Sequence, residues 1–376
     1  MRVLIVSSPG IGHVFPMVSL AWAVRAAGHD VLVATTGQAL AAADAGLHTV
    51  DIAPGFSFET NMRDAAARHP HLMALARGGL TDPRQVVELF GVVTRPLVPA
   101  VLAAAERWRP DLIVHSPTDG GALLAAARLG VPVVHHGFGF FSAGPVAQAM
   151  RENMADVYAE HGLTSGATRS VTLDVAPPSM LAEPDDFGWA MRYVPYNGGG
   201  VLPDWLAQDT GGRPRIAVTL GTVAPRVTGL GPVERLLAVA PRVDAEFVLA
   251  LGGADLSGFG ELPANVHAVD WIPLGPLAST CAAVIHHGGA GTTLTVLDAG
   301  VPQLVLPSGA DRHINARAVA ARGAGLAATD EDLDVALVEQ LLGDDKLRTA
   351  AQEVRAEMAA MPAPATLVPR LVELAG

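Results

Sequence analysis

Short apolar runs alternate with amphipathic, Ala-rich stretches along this chain. VLIVS (3–7) precedes a helix-like MVSLAWAVRAAG (17–28), and DVLVATT (30–36) follows. DLIVHS (111–116), GALLAAARLG (121–130) and VPVVHHG (131–137) repeat the rhythm. Gly28, Gly130 and Gly137 stand at element ends, where helix stops and turns require glycine. Val- and Ile-rich strands without polar alternation are buried on both faces, and their alternation with helices argues a parallel sheet covered on both sides.

The rhythm restarts at RIAVTLG (215–221), PVERLLAVA (232–240) and EFVLALGG (246–253). NVHAVDW (265–271), CAAVIHHGG (281–289), VPQLVLP (301–307) and GAGLAA (323–328) supply further strand-like runs. Between the two blocks, VPYNGGGVLPDWLAQDTGGRP (194–214) has the Gly and Pro content of a hinge. The organisation expected is a domain over 1–197, a linker over 198–213 and a second domain over 214–376. The last helix is allowed to pack back on the first domain. Residues 55–100 and 138–190 fit the rhythm poorly, and such insertions usually carry ligand contacts. Two doubly wound α/β domains expose the carboxyl ends of their strands to ligand, so the cleft is expected between them.

Composition narrows the class. The 376 residues are half hydrophobic and 16% charged, which excludes a disordered chain. Mean hydropathy is +0.34, but no run approaches the ~20 apolar residues of a membrane span. MRVLIVSSPGIGH (1–13) reads as a buried first strand rather than a signal peptide. With 25 basic against 37 acidic residues the net charge is −12, so a nucleic-acid partner is not expected. The single cysteine, Cys281, excludes internal disulfides and Cys-based zinc sites and suits a reducing cytosol; it reads as a buried thiol.

The densest chemistry lies in HHGGAGTTLTVLDAGVPQLVLP (286–307), which reads as strand, glycine turn, helix and strand. Gly288, Gly289 and Gly291 let a ligand approach the backbone, and Thr292 and Thr293 open a helix whose free N–H groups favour phosphate. His286 can add a side-chain donor. A tight strand-to-helix turn with capping threonines is the plain alternative. In PSGADRHINA (307–316), Asp311 can accept from sugar hydroxyls and Arg312 can donate to hydroxyls or phosphate, or Asp311 simply caps a helix.

WIPLGPLASTC (271–281) with HHGGAGTTLTVLDAGVPQLVLPSGADRHINA (286–316) resembles the nucleotide-sugar signature of GT-B-fold family 1 glycosyltransferases. GIGHVFPMVSLAWAVRAAGHDV (10–31) resembles that family's opening strand–loop–helix. VPYNGGGVLPDWL (194–206) and VTLGTVAP (218–225) resemble the bacterial branch that glycosylates polyketides and other natural products. The resemblance implies two Rossmann-like domains facing across a cleft and a metal-free, inverting transfer from a nucleotide sugar.

Carried onto this chain, it sets Trp271 on the nucleobase, the Ile272 backbone on the base edge, and Gly221 and Thr222 at the diphosphate or ribose. His286, Gly288, Gly289, Gly291, Thr292 and Thr293 fall at the pyrophosphate, and Asp311 at the sugar hydroxyls. Arg312 replaces the family's usual Gln, which hints at a donor other than glucose. His13 matches the general base, expected in a loop after the first strand. The family's partner aspartate is replaced by Ser116, so either Asp119 orients His13 or His13 acts without a carboxylate; as the alternative, Asp119 caps the helix that follows.

The implied donor is a deoxy or amino sugar on thymidine diphosphate, with no cofactor and no metal. The acidic triplets DED (330–332) and DLD (332–334) read as helix-start acids rather than metal ligands. The acceptor is a hydroxyl of a hydrophobic aglycone. Phe56, Phe58, Met73, Phe138, Phe140, Met150 and Met154, with Phe90, Phe141 and Tyr158, are candidates to line its pocket or to pack the core. The chain is expected in the cytoplasm, and a homodimer is allowed. A nucleotide-sugar epimerase of the same fold and a non-catalytic partner of a transferase are the rivals. A dinucleotide dehydrogenase would need GxGxxG where SPGIGHVFPM (8–17) stands.

Overall fold

A computed structural model describes residues 1–68, 70–71, 83–163, 169–181, 188–208, 211–221 and 230–376. The chain divides into two compact units. The first is Met1–Tyr196 with Met361–Gly376, and the second is Asn197–Ala360. Residues 198–213, expected as the linker, fall within the span of the second unit.

The first unit begins with β1 (Arg2–Val6), α1 (Ile11–Ala26), β2 (Asp30–Thr35) and β3 (Thr49–Asp51). It continues through α2 (Phe58–Arg68), α3 (Pro83–Thr94), α4 (Val98–Trp108), β4 (Leu112–His115), α5 (Gly120–Leu129) and β5 (Val133–His136). It is completed by α6 (Ala143–Asn153), α7 (Ala155–Glu160), β6 (Ser170–Asp174) and β7 (Trp189–Ala190). The strands form one sheet in the order β3-β2-β1-β4-β5-β6-β7, every pair parallel. Central strands are buried on both faces, as their unbroken Val and Ile content requires: Leu4, Val6, Leu112, Ile113 and Val114 have no exposed surface.

α1 starts at Ile11, six residues before the expected start. Gly10 is its extended N-cap, and His13 N–H closes the first turn on the Gly10 carbonyl at 3.1 Å. Pro16 therefore lies inside the helix. It can donate nothing to the Gly12 carbonyl, and Gly12 is exposed to water instead. His13 thus sits on a helical first turn rather than in a loop.

The segments expected to be irregular hold α2, α3, the start of α4, α6 and α7, with β6 and β7. One stretch there, Gln85–Trp108, is apolar and long enough to cross a membrane by composition, which the sequence reading missed. More than half of its most apolar window is buried within the protein, and a short turn at Arg95–Leu97 divides it into α3 and α4.

The second unit contains β8 (Arg215–Thr219), α8 (Gly231–Val239), β9 (Glu246–Ala250), β10 (Val266–Val269), α9 (Leu274–Ala278) and β11 (Ala283–His286). These are followed by α10 (Ala290–Ala299), β12 (Gln303–Val305), α11 (Arg312–Arg322), β13 (Gly325–Ala327), α12 (Val335–Gly343) and α13 (Asp345–Ala360). Its parallel sheet runs β10-β9-β8-β11-β12-β13. The first six strands of the first sheet and all six of the second share one doubly wound order. In each, the order reverses beside the first strand, so a crevice opens at the carboxyl ends of β1 and β4, and of β8 and β11.

α14 (Pro364–Ala375) returns to the first unit and packs on α1. Arg192 N–H donates to the Pro362 carbonyl at 2.8 Å, and the Arg370 guanidinium lies 3.8 Å from the centre of the Trp189 ring.

Candidate active site

In the first unit the crevice between β1 and β4 holds His13. Its Nδ1 lies 3.1 Å from Ser116 Oγ and 3.3 Å from Thr118 Oγ1. Those hydroxyls are 2.9 Å apart, and Thr118 Oγ1 is 2.8 Å from Ser8 Oγ. The imidazole is half-buried with Phe90 at 4.8 Å and Phe138 at 4.6 Å, both edge-on. This desolvation pulls its pKa down to about 4.

Asp119 does not reach the ring. Its carboxylate accepts the Ala122 N–H at 3.0 Å as the N-cap of α5, and burial raises its pKa to about 6. Of the two arrangements left open by the sequence, the described residues contain the one without a carboxylate. Ser8 and Thr118 were missed because hydroxyls after two sequence-distant strands meet only once β1 pairs with β4.

Among the aromatic and Met candidates, Phe90 and Phe138 flank His13, and Phe141 packs on Phe138 at 5.2 Å. Phe140 and Tyr158 are buried, while Phe56 and Phe58 are half-buried. Met150 and Met154 are core: a β-carbon on Gly120 would lie 2.7 Å from the Met154 chain and 3.4 Å from that of Met150. They present no surface to an acceptor. Met73 lies outside the described residues.

A second buried polar group was not anticipated. His115 Nε2 and His135 Nδ1 are 2.8 Å apart beneath this crevice, and burial lowers the pKa of both.

In the second unit the glycine turn after β11 leads into α10, whose start no side chain caps. Gly288 has φ of +88°, and a β-carbon there would meet Val305 at 2.9 Å, so backbone conformation and space both demand glycine. Thr293 and Thr295 hydroxyls donate back to the Gly289 and Gly291 carbonyls at 3.0 and 2.7 Å. Thr292, half-exposed at the same helix start, is not tied in this way.

The two histidines divide their roles differently from expectation. His286 is fully buried; its Nδ1 accepts the Gly288 N–H at 3.0 Å, which places the proton on Nε2, donated to Gln303 Oε1 at 2.7 Å. With both nitrogens committed, His286 offers no donor to a phosphate and acts as a brace for the turn. His287 is wedged between glycines: β-carbons on Gly221 and Gly289 would each fall 2.6 Å from its ring. Its Nδ1 has no hydrogen-bond partner among the described residues.

Gly221 follows β8 with φ of +67°, and Thr222 lies outside the described residues. Trp271 is 53% exposed, and a β-carbon on Gly198 would stand 2.9 Å from its ring, so the loop at Gly198–Gly200 backs the indole. Ile272 is buried beside it.

Asp311 does not cap α11; it accepts from Asn315 Nδ2 at 3.2 Å, and that same nitrogen donates to the Gly288 carbonyl at 2.8 Å. Burial raises the Asp311 pKa. Arg312 is turned back: its guanidinium donates to the Ser308 carbonyl and, at 3.0 Å, to Ser308 Oγ. Ala310, at φ of +50°, is a rare left-handed non-glycine residue just before Asp311.

The acidic triplets serve local turns: Asp332 accepts from Thr329 and Asp334 caps α12. Among the described residues, no cluster of His, Cys, Asp and Glu is arranged to hold a metal. Cys281 is mostly buried, donates to the Leu277 carbonyl, and has its pKa pushed up to about 11 by burial.

Residues 22–221 match the Erythromycin biosynthesis protein CIII-like N-terminal domain, and 234–374 match its C-terminal domain. The chain is 44% identical over 375 residues to the elloramycin glycosyltransferase ElmGT of Streptomyces olivaceus, covering 99% of this chain and 97% of that one. Its fold matches the glycosyltransferase SnogD from Streptomyces nogalater with a TM-score of 0.86 at 43% identity, over 100% and 99% of the two chains. The spinosyn rhamnosyltransferase SpnG complexed with thymidine diphosphate matches with a TM-score of 0.84 at 32% identity, over 99% and 100%.

Proposed function

The chain belongs to the erythromycin biosynthesis protein CIII-like family of GT-B glycosyltransferases, and on that premise we propose that it moves a deoxy or amino sugar from thymidine diphosphate to a hydroxyl of a hydrophobic natural-product aglycone, with inversion. The observation that carries the donor reading is the uncapped start of α10 behind the Gly288–Gly289 turn, a ready anion site of amides and helix dipole. Backbone amides of the turn and the Thr292 hydroxyl hold the diphosphate, while His286 and His287, the latter wedged between Gly221 and Gly289, brace them. Trp271 stacks on the base beside the Ile272 backbone, Gly221 admits the ribose or phosphate, and Asp311 accepts from sugar hydroxyls. No metal or cofactor takes part.

In the reaction the acceptor oxygen attacks the anomeric carbon, and the sugar–phosphate bond breaks with its electron pair leaving on the nucleoside diphosphate. The acceptor proton goes to His13. Ser116 and Thr118 occupy Nδ1, which leaves Nε2 to take it. The enzyme works in the cytoplasm.

The test is a panel of thymidine diphosphate deoxysugars with aromatic and macrolide aglycones, read by product mass with and without chelator. Product that survives chelator and disappears in His13→Ala supports the reading. Epimerised donor formed without acceptor would make the chain an epimerase. Turnover only after adding a second protein would make it an auxiliary partner.

A further inference from the structure

Among the described residues, the hydrogen-bond partners of His13 are hydroxyls alone. Ser8, Ser116 and Thr118 are buried, with at most 1% of their surface exposed, so water does not feed the chain they form. Among the described residues no acidic side chain interacts with the ring, and Asp119 is occupied by the Ala122 amide. Phe90 and Phe138 press their edges against it.

An imidazolium formed here gains no counter-charge from the described side chains around it, and burial strips it of water. A neutral hydroxyl stabilises it far less than a carboxylate would. Such a base takes a proton efficiently only from a relatively strong acid. An aliphatic hydroxyl is about as weak an acid as water. A phenol, at about 10, is several units closer. Phe90, half-buried beside His13, also offers an aromatic ring to a flat acceptor, by edge or offset contact.

We propose that the acceptor hydroxyl is aromatic, of the phenol class, and that Ser116, Thr118 and Ser8 are positioning residues that hold His13 with Nε2 toward it. The proposal rests on reading His13 as the general base. The phenolic oxygen bonds to the anomeric carbon, its proton passes to Nε2, and the nucleoside diphosphate leaves with the electron pair of the broken bond.

The experiment uses the full chain with two acceptors of similar shape, 2-naphthol and 2-naphthalenemethanol, and thymidine diphosphate rhamnose as donor. Wild-type enzyme should show kcat/KM roughly hundredfold higher for 2-naphthol, a base-catalysis-sized gap. Ser116→Asp should narrow that gap by raising kcat on the alcohol while leaving KM little changed. Thr118→Val, which breaks the hydroxyl chain without adding charge, should lower kcat on the phenol and not KM. Equal wild-type rates on the two acceptors would overturn the proposal while leaving His13 as the base. Rates on both that survive His13→Ala would instead overturn the base reading. Fluorescence titration gives a readout that needs no turnover. 2-Naphthol should bind roughly tenfold tighter than the alcohol, the scale of one stronger hydrogen bond, and lose this margin in His13→Ala. Equal affinities would overturn the proposal.

Discussion

Gln303 fixes the tautomer of His286. The Gly288 amide already donates to Nδ1, so the proton sits on Nε2 and points at the Gln303 carbonyl oxygen at 2.7 Å. A buried histidine beside the glycine turn is therefore a brace, and any effect it has on a ligand there passes through backbone.

Gln303→Leu should cost about 1–3 kcal/mol of stability, the penalty for stranding a buried donor. Nucleotide affinity should fall with it, because the Gly288 turn loses its hold. The double variant with His286→Ala should be no worse than His286→Ala alone, since both act on one turn. Denaturant unfolding and calorimetry with thymidine diphosphate read both effects; additive losses would give His286 a separate contact.

Gly221→Ala meets two obstacles, a left-handed backbone costing about 1–2 kcal/mol and a ring 2.6 Å from the new carbon. His287→Ala removes the second obstacle and not the first. Adding it to Gly221→Ala should recover part of the lost melting temperature and none of the nucleotide affinity. Recovery of both would mean that His287 makes no contribution to the ligand.

Trp271→Ala should weaken thymidine diphosphate by about 1–3 kcal/mol, the scale of a base–aromatic stack. Trp271→Phe should retain most of the binding. At 53% exposure the indole gives the fold little, so the melting temperature should barely move. An unchanged dissociation constant in the alanine variant would remove the stacking role.

Acid should unfold the protein early. His136 and His286 are buried with pKa lowered to about 4, against 6.5 when unfolded. Such groups bind protons preferentially in the unfolded chain, so their contribution is complete above pH 6.5 and is lost as pH falls toward 4. At pH 5 each costs about 2 kcal/mol. Asp119 works in the opposite direction: its pKa is raised to about 6, so it favours the fold most below pH 3.8 and loses that contribution as pH rises through 6. Burial raises Asp174 and Asp311 as well, but six desolvated histidines (His13, His115, His135, His136, His286 and His287) outnumber the three aspartates, so the melting temperature should fall from pH 7 to pH 5. Asp119→Asn should steepen that fall, because its opposing effect is gone.

The strands were readable because doubly buried strands are written in Val, Ile and Leu, and β1, β4, β8 and β11 all appear within apolar runs. The start of α1 was not, because Pro16 suggests a helix beginning where this one is already past its first turn. The orientation of His286 was hidden for a related reason. Val284 and Ile285 are both buried, so no alternation marks which way the next residue turns. The partners of His13 were hidden by distance. Ser8 and Thr118 are 110 positions apart and meet only because the doubly wound order sets β1 beside β4.

α14 closes the first unit with residues that follow the whole second unit in the chain. During vectorial synthesis, α1 and its His13 therefore wait for their outer packing until the second unit has already emerged from the ribosome. The same threading governs recombination. A crossover at 196/197 alone would leave one parent's α1 against another parent's α14, with Trp189 facing a foreign residue in place of Arg370. Exchanging acceptor specificity between relatives as an intact module thus means two joints, near 196 and near 360, so that both segments of the first unit come from one parent.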